Sequence, residues 1–278
     1  MNPALTKTLR LLGLLEAGRR AELKYRKRQP RALPDAVIIG GQKCGTSSLH
    51  NYLTQAPGVI APLRKEVHYF DLHYEKGEDW YRAHFGRMGE PGLNIDASPY
   101  YIFHPLVADR MQSLLPGARL IVLLRDPVKR AYSHYWHERD KRRESLSFEA
   151  ALEAESGRID EAGKQLAAGE IARSEEHRLH SYLARGRYAD QLERWLALYP
   201  PRQFHFILFE SFVKRPLETL NAALGFLDLP PVASARLEPR NTRRYPSMQP
   251  ETAQRLQKYF APHNARLEQL LDLSLNWN

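Results

Sequence analysis

Three short apolar runs stand out along the chain: Ala36–Gly40 (AVIIG), Arg119–Leu124 (RLIVLL) and Phe204–Phe209 (FHFILF). Continuous rather than alternating, and bounded by glycine or proline, each reads as a strand buried on both faces of a parallel sheet. Val59-Ile60 and Leu93–Asp96 are weaker runs of the same kind. Between the runs, apolar positions fall at helical spacing over Thr46–Gln55, Pro105–Leu115, Val128–Arg143, Phe148–Glu155, Glu175–Arg185, Ala189–Tyr199 and Pro250–Leu271. Strands alternating with amphipathic helices predict an α/β fold, a single domain over residues 35–278 with a central, mostly parallel β-sheet flanked by helices. Residues 139–180 are densely charged and hold no strand, so they read as helical surface excursions forming a mobile flap over the site. Residues 1–34 form a basic, Leu-rich helical lead-in, with Leu5, Leu9, Leu12 and Leu15 preceding a cluster of Arg and Lys. Such a helix would pack on the body or, through residues 1–28, make a peripheral contact with an acidic membrane surface.

Composition narrows the class. A 278-residue chain with 43% hydrophobic and 26% charged residues can bury a large core, which excludes wholesale disorder. Forty-one Lys and Arg against 32 Asp and Glu leave a net charge of +9, favouring an anionic partner without choosing one. The one cysteine, Cys44, cannot form an intramolecular disulfide. No long uncharged apolar run and no secretory signal core are evident, so a cytoplasmic protein, peripheral to the inner membrane surface at most, is expected. His104, His177, His180 and His263 lack metal-ligand spacing, and no metal is expected.

The chemistry concentrates after the first strand, in Gly40-Gly41-Gln42-Lys43-Cys44-Gly45-Thr46-Ser47-Ser48. Glycines permit a tight turn, backbone N–H groups and a helix N-terminus face an anion, and Lys43 with the hydroxyls of Thr46, Ser47 and Ser48 reinforces them. The spacing from Gly40 to Gly45 fits GxxxxGK[ST], the nucleotide-triphosphate loop, but the lysine lies inside the loop instead of before Thr46. This predicts a P-loop-like nucleotide-binding core. The strand Arg119–Leu124 runs into Arg125, which suits a second phosphate better than a magnesium ion. Ser133, two turns into the following helix, could share that phosphate.

With those residues in view, the chain resembles the sulfotransferases that use 3′-phosphoadenosine 5′-phosphosulfate (PAPS), most closely the heparan sulfate N-sulfotransferase and 3-O-sulfotransferase branch. Residues 36–55 are similar to that family's GxQKxGT[ST]xL loop and residues 119–135 to its RDPxxRAxSxY element. Lys65-Glu66-Val67-His68-Tyr69-Phe70 is similar to its KExHFF strand end, and Gly186-Arg187-Tyr188 with Trp195 to its G-x-Y helix. Arg243-Arg244-Tyr245-Pro246 is similar to its late basic loop. Three departures stand out. The disulfide hairpin of the mammalian members has no counterpart, Ala97 stands where the 3-O-sulfotransferases carry a lysine, and 139–180 is without a clear match.

The resemblance implies a sulfotransferase moving a sulfuryl group from PAPS to a hydroxyl or amine of a carbohydrate acceptor, such as an acidic glycan, and releasing PAP, the desulfated product. It implies donor contacts from Gln42, Lys43, Cys44, Gly45, Thr46, Ser47 and Ser48, and 3′-phosphate contacts from Arg125 and Ser133. Arg243 and Arg244 would close over that phosphate, and Tyr188 would face adenine or ribose. Lys43 would stabilise the leaving phosphate. The base is Glu66 or His68, two apart on a segment read as extended, with the resemblance favouring Glu66. Arg64, Lys65, His68 and Ser98 fall to the acceptor side. Outside the resemblance stand two other classes: a P-loop-type nucleotide or small-molecule kinase, and a non-catalytic polyanion-binding protein. No nucleic-acid module is recognisable.

Overall fold

The computed structural model describes residues 16, 18, 20–238 and 245–277. The apolar runs become β1 (Ala36–Gly40), β2 (Val59–Ile60), β3 (Leu93–Ala97), β4 (Arg119–Leu124) and β5 (Phe204–Leu208). All pair in parallel, in the spatial order β2-β3-β1-β4-β5. Side chains leave a strand on alternate faces. Val37, Ile39, Leu120 and Val122 therefore enter one core, and Ala36, Ile38, Ile121 and Leu123 another. Burial on both faces is why the central strands read as unbroken apolar runs. Each fully buried aliphatic side chain there contributes about 1.5–3 kcal/mol relative to exposure.

The helices, in chain order, are α1 (Thr46–Leu53), α2 (Tyr69–Leu72), α3 (Glu78–Arg82), α4 (Val107–Leu114), α5 (Pro127–Asp140) and α6 (Phe148–Ala168), then α7 (Glu175–Leu179), α8 (Tyr188–Leu196), α9 (Phe209–Lys214), α10 (Pro216–Phe226) and α11 (Pro250–Leu271). Leu49 and Leu53 of α1 and Leu220 and Leu224 of α10 cover one face of the sheet. Met111 of α4, Trp195 of α8 and Leu267 of α11 cover the other. The chain places β2 and β3 to one side of β1 and β4 and β5 to the other. This reversal opens a crevice at the carboxyl ends of β1 and β4, the place where open α/β sheets hold ligands.

Four expectations change. The helix expected over Phe148–Glu155 runs on to Ala168, ended by Gly169 at φ 74°. Gly157 lies within it, and a glycine facing open space costs a helix only about 1 kcal/mol. The helix expected over Glu175–Arg185 stops at Leu179, and residues 184–186 form a separate 3₁₀ turn. Segment 65–70 is not a strand end, since Glu66 and His68 both have left-handed backbones, φ 59° and 56°. Segment 139–180 is a packed wall: Phe148, Ala151 and Leu152 join Val128, Ala131 and Tyr135 of α5 and Phe260 of α11 in a third apolar cluster. Helix α10 also went unread, although Pro216 in its first turn and Leu220, Ala223 and Leu224 on one face carry the ordinary signals.

Candidate active site

The loop leaving β1 bends back through two left-handed residues, Lys43 at φ 68° and Gly45 at φ 93°. A side chain at Gly45 would be strained by that φ, and its Cβ would lie 3.1 Å from the Phe209 ring. Gly45 then precedes α1, whose N-terminus no side chain caps. Its first-turn N–H groups carry the positive end of the helix dipole. They border a cavity of about 720 Å³, with Thr46, Ser47 and Ser48 in its wall.

Arg125, just past β4, lines the same cavity. Its Nη1 donates to the Lys43 carbonyl at 3.0 Å, and its guanidinium lies 4.6 Å above the Phe209 ring. Ser133 of α5 lines the same cavity. The neighbouring Asp126 accepts from the Val128 and Lys129 backbone N–H groups at 2.9 and 3.3 Å. Asp126 is the N-cap of α5, with Pro127 in the first turn.

A carboxylate–imidazole cluster also lines the cavity. Glu66 is held by Lys65 Nζ at 2.6 Å and lies 3.6 Å from His68 Nε2. His68 Nδ1 donates to the buried Asp71 at 2.7 Å, and the His68 backbone N–H donates to Ser98 Oγ at 3.2 Å. Ser98 in turn donates to Asp96, which also accepts from Tyr81 and Tyr101. Two consecutive departures into the left-handed region thus bring Glu66 and His68 together, where extended geometry was expected to do so. Burial alone would lower the His68 pKa, but Asp71 first and Glu66 second push it up to about 9. Glu66 is the converse: burial would raise it, yet His68 and Lys65 hold it well below the usual carboxylate range.

The sign of the linkage follows from those shifts. The His68 pKa is raised on folding from about 6.5, so its contribution to stability is complete below pH 6.5 and lost as pH rises through about 9. The melting-temperature difference between the wild type and His68→Asn is expected to be largest near pH 6 and to shrink steadily to pH 9. A difference that stays constant over that range would show a neutral ring.

Every residue from Gln42 to Ser48 except Cys44 lines the one cavity, together with Glu66, His68, Arg125 and Ser133. Cys44 and Tyr188 lie beneath its floor, fully buried, with the Tyr188 hydroxyl donating to the Arg125 carbonyl at 2.9 Å. Burial pushes the Cys44 thiol pKa up. Ser98 is likewise buried behind His68, Arg64 is exposed outside the cavity, and Lys65 reaches it only through Glu66. Arg243 and Arg244 fall outside the described residues, as do most of residues 1–19. Sequence reasoning missed Tyr100, His137, Arg143, Arg178 and Arg185, all in the lining. Arg185 directly precedes Gly186, so the motif pointed within one residue of it. Among the described lining residues six are Lys or Arg and two are Glu, so cationic side chains predominate. No described helix is long and apolar enough to cross a membrane, and no group of three or more potential metal ligands converges among the described residues.

Comparison with known proteins agrees with this geometry. The sulfotransferase domain model matches residues 33–266. A solved sulfotransferase from Alicyclobacillus acidocaldarius is 32% identical, with a TM-score of 0.74 over 88% of this chain and 99% of that one. The membrane-associated sulfotransferase kil1 of Dictyostelium discoideum is 28% identical over 88% of this chain, and the bifunctional heparan sulfate N-deacetylase/N-sulfotransferase of Drosophila melanogaster is 30% identical over 86%. The chain spans 66% and 26% of the lengths of those two relatives. A parallel sheet of this order, a loop of this form and a matching domain over most of its length have one explanation: the chain belongs to the sulfotransferase domain family.

Proposed function

We propose that the protein transfers a sulfuryl group from PAPS to a hydroxyl or amine of a carbohydrate acceptor. The observation carrying this reading is that one cavity is lined by Lys43, the hydroxyls of Thr46, Ser47 and Ser48, Arg125 and Ser133 together with Glu66 and His68. Lys43, the α1 N-terminus and the hydroxyls of Thr46, Ser47 and Ser48 would hold the 5′-phosphosulfate. Arg125 and Ser133 would hold the 3′-phosphate, the planar guanidinium matching a phosphate edge in a way an ammonium cannot.

In the reaction the acceptor oxygen or nitrogen attacks sulfur, the bond from sulfur to the 5′-phosphate oxygen breaks, and the acceptor proton goes to Glu66. Negative charge grows on the departing phosphate oxygen, where Lys43 neutralises it. Glu66 is the base because His68, with its pKa near 9, is already protonated at neutral pH and has no lone pair to offer. His68 instead anchors Glu66, and Asp71 anchors His68. The heparan sulfate enzyme among the relatives supports a carbohydrate acceptor.

Titration calorimetry with PAP, ADP and ATP, each with and without Mg²⁺, tests the donor. PAP is expected to bind without magnesium and at least about tenfold more tightly than ADP, which lacks the 3′-phosphate, a difference of about 1.4 kcal/mol. Preferred binding of ATP with Mg²⁺ would overturn the reading in favour of a kinase.

A further inference from the structure

Arg185 is 4% exposed, yet it borders the cavity. Its guanidinium lies over the rings of Tyr100 and Phe103, at 4.7 and 5.2 Å. It donates to the Gln42 side chain and to the Arg178 carbonyl, while Nε has no partner. Among the described residues no carboxylate pairs with it. A buried guanidinium without a counter-ion is strongly unfavourable, and burial lowers its pKa to about 10.

The chain nevertheless holds this charge in place with many contacts. Glu155 of α6 accepts from the Leu183 and Ala184 backbone N–H groups at 2.6 and 2.8 Å. Gln191 donates to the Arg185 carbonyl at 3.1 Å, and Arg130 donates to the Tyr182 carbonyl. Gly186 packs so closely on Phe260 that a Cβ there would lie 2.6 Å from its ring. The turn is fixed by these contacts, and the charge it delivers makes no ion pair among the described residues, Glu138 acting on it only at longer range.

We propose that Arg185 is the specificity-determining contact for an anionic group, a carboxylate or sulfate, on the acceptor. This rests on the sulfuryl-transfer reading above. The stacking argues for the acceptor side: the Arg185 guanidinium covers Tyr100, and Tyr100 follows the Ser98 that supports His68, while the bond to Gln42 ties it to the donor loop. The acceptor's anion supplies the missing counter-charge, so a neutral sugar is discriminated against by the uncompensated guanidinium it leaves behind.

The test uses the full chain saturated with PAP. Its ligands are a hexasaccharide of alternating glucosamine and glucuronate and the carboxyl-reduced form of the same hexasaccharide. The wild type is expected to prefer the acidic form by about tenfold or more. Arg185→Gln should erase that preference while keeping PAP affinity within about threefold. If Arg185→Gln does not fold, Arg185→Lys carries the test: it keeps the charge, loses the planar fork, and should lower the preference by at least about threefold. No preference in the wild type, an undiminished preference in Arg185→Gln, or, where Arg185→Lys carries the test, a preference lowered by less than about threefold, overturns the proposal. A tenfold loss of PAP affinity in Arg185→Gln also overturns it and makes the residue a donor contact. Failure of the wild type to bind PAP sinks the proposed function itself, a result distinguishable from the others.

Discussion

Glu66→Gln is expected to lower turnover about 10²–10⁴-fold, the range that a positioned general base contributes. PAP affinity should stay within about threefold, less than 1 kcal/mol. The amide keeps the shape and the contact with Lys65 but cannot take the acceptor proton. The partners of Glu66 are Lys65 and His68, neither of them assigned to the phosphates, so the donor grip should not feel the change. Near-wild-type turnover in this variant would move the role to His68. Loss of PAP binding would show that Glu66 holds the donor loop instead.

Lys43→Met is expected to lower the rate of the chemical step about 10²–10³-fold, the usual loss when one preorganised charge-stabilising donor is removed. Methionine approximates the length of the side chain and removes its charge. Single-turnover measurement with saturating PAPS separates this loss from weaker binding. Lys43→Arg should recover only part of the rate, because a planar fork does not place one donor on one bridging oxygen. An unchanged single-turnover rate in Lys43→Met would assign the leaving-group role to Arg125 or to the helix N-terminus.

The central sheet was legible because β1 and β4 are buried on both faces and carry nothing but apolar side chains between their ends. The donor loop was legible for a different reason. A left-handed Gly45, a lysine and a run of hydroxyls must occur at adjacent positions to grip a phosphate, so the signal is local. What escaped was long-range. Arg185 and Gln42 are 143 residues apart, and only folding shows that one donates to the other. Cys44 and Tyr188 sit within motif stretches, yet their side chains point under the loop, a direction set by packing that spacing does not reveal. Segment 139–180 was misread because its charges outnumber the few apolar residues that seat it, and those few lie on one face of α6.

The three apolar clusters also imply a division of labour. Two of them clamp the sheet and with it the donor loop, while the third seats the wall that carries Arg143, Arg178 and Arg185. The two meet in α5, whose Val128, Ala131 and Tyr135 seat the wall while its Ser133 lines the cavity. Changes to the wall's inner side chains would spare the loop after β1, whereas changes at its seat would travel through α5 to Ser133 as well.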